Sequence, residues 1–403
     1  MVTSTSRRSN NHERYYCSCL REKKLGFKDW MYIAVRNLKI AYLTEFFHPH
    51  IGGCETRHME IGRRLATRGH EIHVFTIQYD QNLPKEEEVN GITVHRYAYS
   101  RNYVSPDGFR SFGGIVKYSA SSLMRLLGSD FDLYYSNQWP ILHSLCAKPV
   151  ASPLIQEWCE VWTNFLKVTL MQKLLKNVGD YHVAVSEFTR QRLSNLLKIK
   201  PSKVVVIPNG VNFAKFNTSR TKVWGRIVYV GRIVSHKHVK LLVDAFREVK
   251  KKIPTAELHV IGSGSELQSV RNWAAGIKDC FIHGFLPEDQ MIDLLKSAWL
   301  FVSPSEREGS GIVVLEAMAA GVPFITLDYP ENAVKELCGF KCGIMVEPSE
   351  ISIAAAITQL YRNEEQWKEL SVNAFNFAAK YDWDIITNHV EDFFGVVMNN
   401  VRK

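Results

Sequence analysis

The chain has 403 residues, 46% of them apolar and 23% charged, with a formal net charge of +9 at pH 7. That length is too great for one ordinary core and predicts two domains of roughly 150–200 residues, while the composition excludes long disorder, collagen and low-complexity repeats. No stretch approaches the ~20 consecutive apolar residues of a membrane-spanning helix, and residues 1–37 carry no secretory apolar core, so the expectation is a cytoplasmic protein, free or peripheral on a membrane face.

The charge is uneven. Residues 1–36 hold eight Lys/Arg against three acids, residues 37–208 hold 20 against 15, and residues 209–403 hold 22 against 23. A basic N-terminal half suits phospholipid headgroups or phosphorylated substrates, and equally a plain solvated surface. The eight cysteines show neither a CxxC pair nor zinc-site spacing, which reads as reduced thiols and no metal site.

In chain order, residues 1–37 lack sustained periodicity and read as a basic leader. The apolar run Leu38-Lys39-Ile40-Ala41-Tyr42-Leu43 is of the kind buried in a parallel sheet. A Gly-containing loop, a helix over 55–68 and a strand over 71–76 complete a βαβ unit. Strands follow over 93–97, 133–136, 153–156, 182–185 and 203–207, with helices between them, and Pro208-Asn209-Gly210 makes a turn. A second series then starts: strands over 227–230, 257–261, 281–284, 300–303 and 324–327, and helices over 240–251, 266–275, 288–297, from Gly311, and over 351–362 and 364–381. An amphipathic helix from 383 to 401 is left over. Two successive βα series predict an α/β protein of two doubly wound domains facing one another, with the ligand between the strands' carboxyl ends.

Neither GxxxxGK followed by Ser or Thr nor GxGxxG occurs, against a P-loop NTPase and a Rossmann dehydrogenase. The most informative stretch runs Ser303-Pro-Ser-Glu-Arg-Glu308-Gly-Ser310-Gly311-Ile-Val-Val-Leu-Glu316-Ala-Met-Ala-Ala-Gly321-Val-Pro323. A strand, a Gly-Ser-Gly loop and a helix start make an anion seat from free N–H groups and the positive dipole end. Glu308 precedes the seat and Glu316 follows it on the helix. Two carboxylates about an anion seat suit a sugar, two phosphates and a ribose, the shape of a nucleotide diphosphate-sugar. A second loop, Gly231-Arg232-Ile-Val-Ser-His236-Lys237, carries two cations able to neutralise a diphosphate. A third, His48-Pro-His-Ile-Gly52-Gly53, allows close backbone approach, or simply a turn at positive φ. Gly262-Ser263-Gly264 serves a ligand or an ordinary strand–helix turn.

Taken together these residues resemble the retaining, nucleotide-sugar-dependent glycosyltransferases of GT-B family 4. The resemblance rests on Gly52 and Gly53, Arg68-Gly-His70, Val185-Ser-Glu-Phe188, Ile207-Pro-Asn-Gly-Val211, Gly231-Arg232 with Lys237, Ile261-Gly-Ser-Gly264, and above all Glu308 to Glu316 running into Ala317-Met-Ala-Ala-Gly-Val-Pro323. It spans residues 38–394. It implies the GT-B fold, with residues 38–208 as an acceptor-side Rossmann-like domain, 209–382 as a nucleotide-sugar-binding one, and 383–403 as a helix crossing back to the first. By the same resemblance Arg232 and Lys237 would neutralise the donor diphosphate, Glu316 would hold the ribose hydroxyls, and Glu308 would contact the transferred sugar. Ser310 and Gly311 would offer backbone N–H groups, Gly53 beside Gly52 would close on the phosphates, and Gly262 and Phe285 would line the donor pocket. No metal or cofactor would be needed beyond a UDP-, GDP- or similar nucleotide-sugar.

Where many relatives carry a histidine after the strand beginning at Asp132, this chain has Asn137, which cannot act as a base. His143 and Glu157 are nearby in sequence, so the catalytic residue of the first domain stays open between Asn137 and these. The apolar-basic stretch 115–127 fits a lipid-phosphate-linked or oligosaccharide acceptor at a membrane surface, or a core-facing helix. Nucleic acid is not an expected partner. A second reading of the same residues is a catalytically inactive GT-B subunit that binds nucleotide-sugar or a partner enzyme.

Overall fold

The computed structural model describes residues 37–402 apart from 102, 105–109, 163–165 and 219. The basic leader assigned to residues 1–37 lies outside the described residues up to residue 36, with Cys17 and Cys19 in it. Eight strands make the first sheet: β1 (Lys39–Leu43), β2 (Glu71–Ile77), β3 (Glu86–Val89), β4 (Ile92–Tyr97), β5 (Leu133–Asn137), β6 (Leu154–Trp158), β7 (Tyr181–Ala184) and β8 (Val204–Val206). Their order is β3-β4-β2-β1-β5-β6-β7-β8, and only β3 runs antiparallel to its neighbour. The continuous apolar run of β1 is buried because β2 and β5 flank it and helices cover both faces.

Six further strands make the second sheet: β9 (Arg226–Val230), β10 (Glu257–Ile261), β11 (Cys280–Gly284), β12 (Leu300–Ser303), β14 (Phe324–Leu327) and β16 (Gly343–Val346), ordered β11-β10-β9-β12-β14-β16 and all parallel. Between them the two-residue strands β13 (Arg307–Glu308) and β15 (Glu331–Asn332) pair separately. This is the two-domain GT-B architecture.

Two stretches of chain cross between the sheets and lie side by side. Val211 N donates to Tyr381 O at 2.8 Å and Trp383 N donates to Val211 O at 3.1 Å. The helix Trp383–Val401 then packs on the helix Gly53–Thr67 beneath the first sheet, burying Trp383, Ile386, Val390, Phe393, Phe394 and Val397 with the core of β1, β2 and β4. Arg64 pairs with Asp384, and Arg68 and His70 pair with Glu391, along that contact. The C-terminal helix therefore ties the end of the second domain to the first.

Candidate active site

The loops leaving β1, β6 and β7 meet the loops leaving β12 and β14. On the second-domain side, the helix Ile312–Ala319 starts from Gly311, whose φ of +67° lies in the left-handed region. A Cβ there would sit 2.7 Å from the Val334 side chain, so both conformation and space demand glycine. The helix is anchored by buried Val314, Leu315, Ala317, Met318 and Ala319, and Glu316 is its single charged side chain. Burial pushes the Glu316 carboxyl up to about 8; Glu288 adds to this and Lys215 opposes it.

The cation loop after β9 is laced to the same segment. Glu306 N donates to His236 O at 2.9 Å, and Lys237 Nζ contacts Glu308 Oε2 at 2.5 Å. Arg232 is exposed, with Tyr229 Oη donating to its carbonyl. His236 is held down at about 3, first by burial and then by Lys237, Arg307 and Arg232. Burial is the larger part of that depression, and the three neighbouring cations add to it. The structure thus brings Arg232, Lys237, Glu308, Ser310 and Gly311 together.

Gly262 and Phe285 lie on the neighbouring strand ends. A Cβ on Gly262 would meet the Gly231 carbonyl oxygen at 1.9 Å, so its glycine is demanded by the packing of one loop on the next. Phe285 follows β11 and leaves its ring 67% exposed, free to stack on a planar group.

On the first-domain side, neither Gly52 nor Gly53 occupies the left-handed region; Gly52 has φ −174°, ordinary extended backbone. The expected turn at positive φ is therefore absent, and the atoms that would crowd a Cβ on Gly52 are those of the Glu55 side chain three residues on. Gly53 opens the helix Gly53–Thr67, and a Cβ there would lie 3.7 Å from the side chain of Ile312, which opens the opposite helix. Two helix N-termini face each other across the cleft.

Asn137 is buried, its Nδ2 donating to Glu157 Oε2 at 3.3 Å and its Oδ1 accepting from Trp139 N at 3.0 Å. Glu157 is fully enclosed and ionised: burial alone would raise it, but Arg57 and His58 hold it well below the usual carboxylate range. Its place is therefore beneath the cleft and not in it. His143 is also a core residue, with Nε2 2.9 Å from Ser136 Oγ and Nδ1 donating to Pro140 O, and burial lowers its pKa. Cys54 and Cys159 sit with their sulfurs 3.2 Å apart as free thiols, and no group of three His, Cys, Asp or Glu among the described residues is arranged for a metal.

Several residues at this junction were given no site role from the sequence. Gly309 approaches the first domain so closely that a Cβ would lie 2.0 Å from the Cys159 carbonyl oxygen. Arg307 stacks 4.5 Å from the Trp162 ring centre, Arg192 pairs with Glu331 at 2.8 Å, and Asn209 Nδ2 donates to Ser310 Oγ. Beside them a small open depression, lined by Glu160, Trp162, Arg307 and Glu308 among others, lies between the domains. Burial raises Glu160, and Arg307 and Arg232 across the cleft pull it back.

Comparison with known proteins identifies the family. The family Glycosyltransferase Family 4 matches residues 51–215 and the family Glycosyl transferases group 1 matches residues 216–377. The chain belongs to the group 1 glycosyltransferases of the GT-B fold. It is 25% identical to an uncharacterized glycosyltransferase of Methanocaldococcus jannaschii, over 91% of this chain and all of that one. It is 24% identical to the GDP-mannose:cellobiosyl-diphosphopolyprenol alpha-mannosyltransferase of Xanthomonas campestris, over 91% of this chain and 98% of the relative. Among solved structures, the sucrose-phosphate synthase of Thermosynechococcus elongatus superposes with a TM-score of 0.75 at 18% identity, covering 89% of this chain and 98% of that one. Among the described residues no helix is long and apolar enough to cross a membrane.

Proposed function

We propose that the chain moves a hexose-type sugar from a nucleotide diphosphate-sugar to a lipid-linked or glycan acceptor, with retention at the anomeric carbon. The observation that carries this is the meeting of the cation loop with the amide-rich start of the helix Ile312–Ala319, through the Lys237–Glu308 contact. Arg232 and Lys237 neutralise the departing diphosphate, and the helix N-termini at Gly53 and Ile312 add fixed positive ends on both sides. Glu316 accepts from the ribose hydroxyls, Phe285 stacks on the base, and Glu308 binds the transferred sugar. Fixed cations assign leaving-group stabilisation to side chains, so turnover should survive chelation of divalent metals. The departing phosphate oxygen takes the acceptor's proton on the same face, a step that asks no base of Asn137, whose amide is engaged by Glu157 and Trp139. Closure about Gly309 keeps water from the donor.

The acceptor reading draws on the first domain's surface. The helix Phe112–Leu126 buries Gly114, Tyr118, Ser122 and Leu126 at four-residue spacing and so faces the core on that stripe. Its other face leaves Phe112 75% and Met124 68% exposed, beside Lys117 and Arg125. The helix Leu166–Leu175 exposes Leu170 and Leu174 near Lys173, and both helices pack on Ile141–Ala147. Apolar tips among cations suit an anionic membrane face. The Xanthomonas relative, by name, acts on a diphosphopolyprenol.

The test is a transfer and donor-hydrolysis assay with UDP-glucose, GDP-mannose and ADP-glucose, with and without EDTA, for the natural chain and Glu308→Gln. Turnover of one donor that withstands EDTA and falls at least a hundredfold in the variant supports the transferase. Nucleotide binding without turnover in either chain would establish the non-catalytic reading, which Asn137 in place of a histidine favours.

A further inference from the structure

Behind the donor loop lies a buried polar chain that the transfer chemistry does not itself use. The Glu157 carboxylate accepts from Arg57 Nε at 2.5 Å, His58 Nε2 at 2.7 Å, Tyr135 Oη at 2.8 Å and Asn137 Nδ2 at 3.3 Å, with Cys159 Sγ a longer contact at 4.0 Å. Arg57, with no exposed surface, is fixed by that carboxylate and reaches the crossing between the domains. There its Nη1 donates to Pro208 O at 2.7 Å and to Asn209 Oδ1 at 3.1 Å. The next link is Asn209 Nδ2 donating to Ser310 Oγ, two residues past Glu308 and one before Gly311. Glu157 and Arg57 are 100 residues apart in the chain, and Asn209 and Ser310 are 101.

The direction of this chain is fixed by donor count. Arg57 has only donors, so the carbonyl end of the Asn209 amide must face it and the NH2 end must face Ser310. Ser310 Oγ is therefore spent as an acceptor on the protein side. Its single proton has no acceptor among the described residues and remains available for one outside the chain. A buried ion pair contributes little net stability and costs much if broken, so its value here lies in holding geometry.

We propose that Asn209 is a positioning residue, oriented by Arg57, which turns the Ser310 hydroxyl proton toward an oxygen of the bound nucleotide-sugar. This rests on the donor reading above. Ser310 then acts as a one-way donor, and the crossing between the domains is wired to the donor loop.

The experiment inverts the polarity without removing the side chain. In Asn209→Asp the carboxylate still accepts from Arg57 but also draws the Ser310 proton inward. Dissociation constants are measured by calorimetry on the full chain for UDP-glucose, GDP-mannose and ADP-glucose, and for UDP, GDP and ADP alone. Asn209→Asp and Ser310→Ala should each lose roughly tenfold in affinity, and the double variant should bind no more weakly than Ser310→Ala. A loss already present with the nucleotide alone assigns the acceptor to a phosphate oxygen; one seen only with the sugar nucleotide assigns it to a sugar hydroxyl, and either supports the relay. If the Asn209→Asp chain is unstable, Asn209→Ala, which lets the hydroxyl rotate, should lose a few fold (roughly two to five). Tight binding by Asn209→Asp overturns the relay while leaving the donor reading intact. So does a loss that persists undiminished when Asn209→Asp is combined with Ser310→Ala, as repulsion by an added charge would. A natural chain that binds none of these ligands overturns both.

Discussion

Glu316 is where a single residue makes the sharpest claim. Burial raises its folded value to about 8, above the ordinary 4.5, so it is protonated at neutral pH. Its contribution to stability is fully present below the unfolded value and is lost as pH rises through about 8. Ribose hydroxyls donate best to the carboxylate, so donor binding should release this proton. Affinity should then rise with pH, by up to about tenfold per unit, and level off above the folded value. Calorimetry at pH 7 in buffers of different ionisation enthalpy should show close to one proton released, and Glu316→Gln should show none. Proton-neutral binding by the natural chain would remove Glu316 from the ribose.

Residues also show where reading the sequence stops. Glu308 and Glu316 were legible because a glycine-rich loop between a strand and a helix has few other uses. Arg57 and His58 were not. Met59, Ile61, Leu65 and Ala66 set the apolar stripe of their helix, which assigns neighbouring charged residues to solvent, yet Arg57 is fully buried and His58 nearly so. Their partner Glu157 lies on β6, and local periodicity carries no information about a carboxylate 100 residues away.

At the scale of elements, most strands were readable as apolar runs, and β3, β13, β15 and β16 were not; β16 is a four-residue edge strand that leaves Met345 exposed. β3 is Glu-Glu-Glu-Val on the edge of its sheet, without an apolar face to betray it, and β13 and β15 are two residues each. These short strands nonetheless set the cleft, because β13 delivers Glu308 and then Gly309 to the Cys159 carbonyl. A methyl group at 2.0 Å from backbone oxygen cannot be absorbed by a flexible side chain, so Gly309→Ala must hold the domains apart. Transfer to acceptor should fall by at least tenfold while donor hydrolysis, which tolerates water, falls less; equal losses in the two assays would show that closure is not what the glycine protects.

For the whole molecule, each domain supplies what the other lacks. The second brings Arg232 and Lys237, the helix start at Gly311 and the carboxylates Glu308 and Glu316, while the first brings the helix start at Gly53 and a surface of apolar tips among basic residues. Two chain crossings and the C-terminal helix join them. The two α/β domains followed from alternation of strand and helix, whereas the strand order within each sheet and the fit between domains did not, since they depend on contacts such as Gly309 with Cys159 and Asn209 with Ser310 that join distant parts of the chain.

That the diphosphate is gripped between the loop after β9 and the start of the helix Ile312–Ala319 can be tested directly by calorimetric titration of UDP-glucose, GDP-mannose and ADP-glucose into the natural chain and into Arg232→Gln and Lys237→Gln. Saturable binding of one donor, weakened at least tenfold by each substitution, is the predicted result. Equal affinity in all three chains, or no binding of any donor, would contradict it.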